Sequence, residues 1–419
     1  MTCNAFYRFS LLCLSLICLP PCLIADNNAE HKVSRAYDFV NSIGVNTHFG
    51  YYDTQYGRYE EILKPRLIEL GVKHIRDGTY NADVVHKYKE MGEQGIRLLL
   101  ITSSDKAVER AKSIGKMLWG VEAVNEPDGG QKPGTWEQEA RQEQRCLYES
   151  IKGDSATCQL PVVGLSLANI KDSPSRLGDI SRWMDYGGMH PYAAGRHPSE
   201  HWGWGMSMDD ALSEARKVSG EKPLVVTECG YHNKEENPSH PGVSEEAAAI
   251  YHLHLFFTYF NEGILRSYKY EFLDLKPDCA MSDMECHFGL IRSDGSVKPS
   301  FSALKNLLAL LSDTDEAFLP RPLPLQLTSG DEAPVRSTLL QKSDGSWWLA
   351  LFRPVSVYDL QAHRDIGISP IPVEVRLPCR MNCRLFRPDQ SQLPFASFRK
   401  KRSITVELGA ELVLVELRA

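Results

Sequence analysis

The stretch Leu118-Trp-Gly-Val-Glu-Ala-Val-Asn-Glu-Pro-Asp128 reads as a short apolar strand that stops on polar, turn-forming residues. A second stretch has the same shape: Leu224-Val-Val-Thr-Glu-Cys-Gly230 is apolar through Val226 and carries Glu228 just before a glycine. Short apolar runs bounded by turn residues are expected of strands covered on both faces, and so of a parallel sheet sheathed by helices.

The same texture extends in both directions. Strands are expected at 43–47, 72–76, 97–102, 118–124, 161–166, 186–190, 224–227 and 267–272. Helical patterns fall at 65–70, 82–94, 105–114, 135–150, 176–183, 209–218, 245–261 and 300–311. Eight strands, each followed by a helix, favour a closed (β/α)8 TIM barrel over an open doubly wound sheet. An open sheet more often carries a glycine-rich phosphate loop after its first strand, where this chain has Asn46-Thr-His-Phe-Gly50. The barrel is assigned to residues 38–312. Beyond it prolines crowd at 320, 322 and 324, and β-rich runs follow at 337–341, 347–352, 373–377, 403–408 and 411–416. Asp344-Gly345 is a hairpin turn between two of them. Residues 313–419 are therefore expected to form a small antiparallel β-sandwich.

With 42% hydrophobic and 24% charged residues in 419, the chain can bury a large core. A formal charge of -7 gives no basic face for nucleic acid or anionic lipid. Residues 1–25 differ from the rest: Arg8, an apolar run over 9–19, Pro20 and Pro21, then Ala25. This is the pattern of a secretory signal peptide, which implies a secreted or periplasmic protein; an uncleaved anchor is the alternative. No later run is apolar enough to cross a membrane. Four of the eleven cysteines lie in this leader. Export makes disulfides possible, and Cys146/Cys158, Cys279/Cys286 and Cys379/Cys383 are neighbours that suggest three local staples, the last around a tight turn. Cys229 is expected as a buried free thiol. No cysteine–histidine spacing resembles a zinc site, and no metal or cofactor is expected.

Active sites of eight-fold barrels gather where strands end. Here those positions are polar: Arg76-Asp77 after the second strand, Asn125-Glu126 after the fourth, His190-Pro-Tyr192 after the sixth, Glu228 on the seventh and Tyr270-Glu271 on the eighth. Such groups are costly to bury unless they pair with one another or with a ligand. A structural Arg76–Asp77 ion pair and a satisfied core His190 are the simpler alternatives. Two carboxyl groups facing one cleft are what acid-assisted cleavage of a glycosidic bond requires.

Asn-Glu-Pro after strand four, His-x-Tyr after strand six and a glutamate after strand seven resemble the pattern of the clan A retaining glycoside hydrolases. The segment Trp119–Asp128 most resembles glycoside hydrolase family 39, with parts shared by families 5 and 30. The resemblance covers roughly residues 40–312. It departs at Val124, where family 39 usually has an aromatic residue, and on strand eight, where Tyr268 and Tyr270 stand instead of the tryptophan common in family 5. It implies an oligo- or polysaccharide substrate with β-linkages, Glu126 as acid/base and Glu228 as nucleophile. Asn125 would bind the sugar 2-hydroxyl, Tyr192 would donate to Glu228, and His190 would line the cleavage subsite. Arg76 nearby would keep Glu228 ionised by charge. Glu122 and Glu271 would support the site. His48, Trp202, Trp204, Tyr231 and Tyr270 are further candidates for binding sugar, while Trp347 and Trp348 suit core or interdomain packing. A non-catalytic carbohydrate-binding barrel and an inverting hydrolase are the competing readings.

Overall fold

A computed structural model of the chain describes residues 32–130, 136–278, 281–314, 317–330 and 334–419. The leader and Cys279 lie outside the described residues. The described chain enters on β1 (Val33–Arg35) and α1 (Ala36–Asn41). Eight parallel strands follow: β2 (Ile43–Asn46), β3 (His74–Asp77), β4 (Arg97–Ile101), β5 (Leu118–Glu122), β6 (Val162–Val163), β7 (Gly187–Met189), β8 (Leu224–Cys229) and β9 (Arg266–Lys269). They are ordered β6-β5-β4-β3-β2-β9-β8-β7, and a parallel bridge between Val163 and Tyr186 joins the two ends, so the barrel is nearly closed.

Alternation decides which way each residue faces. Leu99, Val163, Val225 and Tyr268 form their own buried cluster, whereas Leu98, Leu100 and Val226 join the larger core with the helices. The helices are α2 (Lys64–Leu70), α3 (Ala82–Glu93), α4 (Ala107–Ile114), α5 (Trp136–Gly153), α6 (Ser173–Leu177), α7 (Met208–Ser219), α8 (Glu245–Asn261) and α9 (Pro299–Leu311). Local chemistry sets their starts. The Asn81 side chain accepts from the Val84 N–H to open α3, and Ser207 with Asp210 forms a capping box at α7. Helix α8 is buried on nearly every side from Ala247 to Tyr259. A helix apolar all round is a core helix, and its outer face is covered by the C-terminal sheet, with His254 stacked on Phe352 at 4.6 Å.

The C-terminal region is built from β10 (Gln326–Ser329), β11 (Arg336–Gln341), β12 (Trp347–Phe352), β13 (Tyr358–Asp359), β14 (Arg364–Asp365), β15 (Ile371–Phe386), β16 (Ala396–Leu408) and β17 (Val413–Arg418). One sheet runs β1-β11-β12-β17-β15-β10, with β16 also on β15, while β13 and β14 form a separate ribbon. All pairs are antiparallel except β1–β11, so the segment before the barrel completes the sheet after it. The sixteen-residue β15 pairs with β10 through its first half and with β17 through its second. Residues from both halves, such as Val373 and Leu385, share one core. The expected sandwich is thus one continuous sheet whose other face, through Leu340, Trp348, Ala350 and Phe352, packs on the barrel.

The disulfide expectation is corrected for Cys146/Cys158 and Cys379/Cys383, while the Cys279/Cys286 pair falls on a residue outside the described ones. Cys146, Cys158, Cys229, Cys286, Cys379 and Cys383 are all free thiols. Cys379 and Cys383 do not close a turn; both lie within β15, where four residues span about 13 Å, well beyond bridging distance. Pro378 falls where the β15–β16 register shifts, a place where a missing ladder N–H is tolerated. Cys146 sits seven residues before the end of α5 and accepts from Gln142, whereas Cys158 lies beyond the helix, turned to the Ser155 carbonyl. Cys229 is the buried thiol expected.

Candidate active site

The C-terminal ends of the barrel strands open into a cleft of about 960 Å³. Its floor is organised by Arg76, which is 2% exposed at the end of β3. The guanidinium Nε donates to Glu122 Oε2 at 2.5 Å, and Nη2 donates to Glu122 Oε1 at 3.1 Å and to Asn125 Oδ1 at 2.6 Å. Nη1 donates to Asn46 Oδ1 at 2.9 Å and to Glu228 Oε1 at 2.8 Å. All five N–H groups of the side chain are thereby used. The Arg76–Asp77 pairing is not formed. Asp77 instead accepts from Thr47 Oγ1, Phe49 N and Thr79 N, which fixes the turn after β2.

Glu228 lies on β8, 8% exposed, with its second oxygen accepting from Tyr192 OH at 2.9 Å. Burial pushes its carboxyl up, but the charges of His190 and Arg76 and the hydrogen bonds from Arg76 and Tyr192 outweigh this and hold it below its ordinary value. Glu126 lies beyond the end of β5, in the left-handed backbone region at φ 45°, a conformation that costs a non-glycine residue on the order of 1 kcal/mol. Its N–H donates to the Ser166 carbonyl at 3.1 Å. Asp128 ties the same loop to the next by accepting from Ala168 N and Asn169 N, each at 2.9 Å.

His190 stands between the two carboxylates. Its Nδ1 is 2.6 Å from Glu126 Oε1 and 3.8 Å from Glu228 Oε2. Its Nε2 meets Thr227 Oγ1 at 3.0 Å, which in turn meets Ser166 Oγ at 2.6 Å. Burial lowers the imidazole, but the charge of Glu228 and the contact with Glu126 raise it above the ordinary histidine value. Single oxygens of Glu126 and Glu228 and a nitrogen of His190 all lie within 4.8 Å of one another. That spacing could also hold a cation, but Arg76 already supplies positive charge to Glu228.

Another buried carboxylate, Glu271, lies against His48. It accepts from Tyr56 OH at 2.9 Å and lies 3.1 Å from His48 Nε2. Burial raises Glu271. Burial lowers His48, but the contact with Glu271 raises it more, so it lies above its ordinary value. His48 lines the cleft and stacks on Tyr51 at 4.4 Å. Tyr270 also lines it and donates to Glu285 Oε2 at 3.0 Å; burial pushes Glu285 up to about 7.

Arg76, Asn125, Glu126, His190, Tyr192 and Glu228 thus converge, with His48, Trp204 and Tyr270 on the same cleft. Two expected binding residues do not. Trp202 is 2% exposed, packed in the main core with its indole N–H on the Pro198 carbonyl at 3.2 Å. Tyr231 is 3% exposed and donates to the Arg196 carbonyl at 2.8 Å, against Tyr251 and His252. Proximity to a strand end placed both near the site, but their rings turn into the layer under it. Glu285, His240 and Phe288 also line the cleft, from the segments that follow β8 and β9. Thr227 and Ser166 had a sequence signal: both are hydroxyls at the ends of apolar strands.

The same architecture occurs in solved structures. A family 39 glycoside hydrolase from Bacteroides cellulosilyticus aligns with TM-score 0.58 at 13% identity, over 92% of this chain and 82% of that one. The fold is one that glycoside hydrolases of known structure share. A glucosidase from Croceicoccus marinus aligns with TM-score 0.57 at 12% identity, over 85% and 91%. The GH51 arabinofuranosidase from Xanthomonas axonopodis pv. citri aligns with TM-score 0.56 at 12% identity, over 93% and 98%. No family profile matches the chain, and no curated protein matches it in sequence. Among the described residues no helix is long and apolar enough to cross a membrane.

Proposed function

We propose that the protein is a retaining glycoside hydrolase acting on a β-linked oligo- or polysaccharide by double displacement, with Glu228 as nucleophile and Glu126 as acid/base. The observation that carries this reading is the unequal pair: two carboxylates with oxygens within 4.8 Å, one charge-paired and buried, the other against an imidazole. An inverting enzyme needs room for a water between its carboxyl groups, roughly 6.5–9.5 Å, whereas a retaining one places them about 5–5.5 Å apart. Glu228, held ionised by Arg76, attacks the anomeric carbon while the leaving oxygen takes a proton from Glu126. Water then attacks the glycosyl-enzyme as Glu126 takes its proton, and Glu228 leaves. Asn125 spends its carbonyl oxygen on Arg76, which leaves its amide N–H groups to serve a sugar hydroxyl. The three neighbours named above include a glucosidase and an arabinofuranosidase, so the sugar is open.

A non-catalytic carbohydrate-binding barrel is disfavoured by the charge buried at Arg76 and Glu228, which binding a neutral sugar does not require. The N-terminal pattern adds export to the proposal. The test is a panel of aryl β-glucosides, β-xylosides and α-L-arabinofuranosides with product stereochemistry followed by NMR. Retention of configuration supports the reading; inversion, or no turnover on any glycan, ends it.

A further inference from the structure

Five cations stand close together on the long β15–β16 ribbon. Arg380 lies in the irregular middle of β15, and Arg399, Lys400, Lys401 and Arg402 follow one another on β16; all five are exposed. On a regular strand every second side chain would turn inward. Here the register slips between Met381 and Cys383, and Lys400 takes the left-handed conformation at φ 51° with its N–H on Asn382 Oδ1 at 3.2 Å. This bulge lets four consecutive basic residues face solvent. Met381 is in register with Lys401, and Arg380 Nη1 donates to the Lys400 carbonyl at 3.3 Å, so the cations of the two strands lie side by side.

Among the described residues none of the five has an ion-pair partner. Their neighbours do: Arg376 pairs with Glu374, Arg384 with Glu416 and Arg418 with Asp344. The band is thus a local excess of positive charge in a chain of formal charge -7, which the net value concealed. Because β16 pairs only with β15, lysines there also protect a free sheet edge. Edge protection does not account for Arg380, which belongs to the interior strand.

We propose that this band binds an anionic polysaccharide, one bearing sulfate or carboxylate groups, outside the catalytic cleft. The choice of a glycan rests on the glycosidase reading: the polymer held by the band is the kind of molecule the cleft cuts. Two further features favour it over other polyanions. Phe398, the aromatic ring within the band, packs partly against the domain core, which limits the face it offers for base stacking. The exposed Leu393 and Phe395 lie at the ribbon tip, which Asn306 fastens through the Pro388 carbonyl at 2.8 Å, away from the basic stretch.

The test uses the full chain and a variant carrying Arg399→Gln, Lys400→Asn, Lys401→Gln and Arg402→Gln. Heparin and polygalacturonate serve as sulfated and carboxylated probes, with a DNA duplex and phosphatidylserine vesicles as competitors. The expected result is glycan binding that the variant weakens at least tenfold, with the slope of log affinity against log salt reduced by about one per cation removed. A control with Lys73→Gln, Lys89→Gln and Lys116→Gln binds like the parent. Equal binding by parent and variant overturns the proposal, as does no binding, or tighter binding of DNA or vesicles. Hydrolysis of a small aryl glycoside is read in parallel and is the same for parent and variant. Glycan binding through the band without any such hydrolysis refutes the catalytic reading and not the band.

Discussion

Arg76 Nη1 donates to Glu228 Oε1 at 2.8 Å, and both groups are buried. The same guanidinium holds Glu122, which has no exposed surface. Removing the arginine therefore strips Glu122 of its counter-charge and leaves Glu228 with only His190, 3.8 Å away. Arg76→Met is expected to destabilise the protein by about 3–5 kcal/mol and to abolish turnover. Adding Glu122→Gln removes one stranded charge, so the double variant should regain much of the lost melting temperature while staying inactive. Thermal melts and kcat/KM on an aryl glycoside check both halves. Recovery of activity together with stability would show that Arg76 acts only on the fold.

Glu126 carries the proton to the leaving group in the proposed mechanism. Glu126→Ala should lower kcat/KM by about 10²–10⁴ for substrates with poor leaving groups. Aryl glycosides whose phenols leave unaided should lose much less in the first step. Added azide should restore turnover of the glycosyl-enzyme, since it needs no general base. Uniform losses across leaving groups, with no azide effect, would remove Glu126 from the acid/base role.

The barrel was legible because its strands are short, apolar and buried: the expected limits of 97–102 and 118–124 meet β4 and β5 within two residues. The floor of the cleft was legible for the same reason, since Arg76, His190 and Glu228 are polar groups placed where an apolar run ends. What failed depended on side-chain direction or on tertiary partners. Trp202 and Tyr231 flank the right strands, but nothing local to either residue says which layer its ring enters. β1 is three residues long and exists only because β11 is there to pair with it. The expected strand stops at 377 and a tight turn is expected at Cys379/Cys383, whereas β15 runs on to Phe386 because β16 and β17 are there to pair with it.

Peptide mapping checks the cysteine assignment. Alkylation of the denatured, unreduced protein should label Cys146, Cys158, Cys379 and Cys383 fully, and in the native state Cys379, exposed on β15, should react before the buried Cys383. A Cys379–Cys383 or Cys146–Cys158 linked peptide would contradict the strand and helix positions described.

Acid stability follows from a buried histidine pair at the barrel–sheet contact. His197 Nε2 meets His254 Nδ1 at 3.0 Å, and His254 stacks on Phe352. Burial pushes His197 down to about 3 and His254 well below its ordinary value. Both are neutral in the folded protein but titrate near 6.5 when unfolded, so the unfolded chain binds more protons below that pH. Their contribution is complete above about pH 6.5 and is lost as pH falls toward about 3. The melting temperature should therefore drop between pH 7 and pH 4.5. His254→Gln, which cannot charge, should shrink that drop by about a few °C, even if it lowers stability at pH 7. A parallel shift of the whole profile, with the acid slope unchanged, would mean that the pair is packing alone and that the acid limb belongs to other groups.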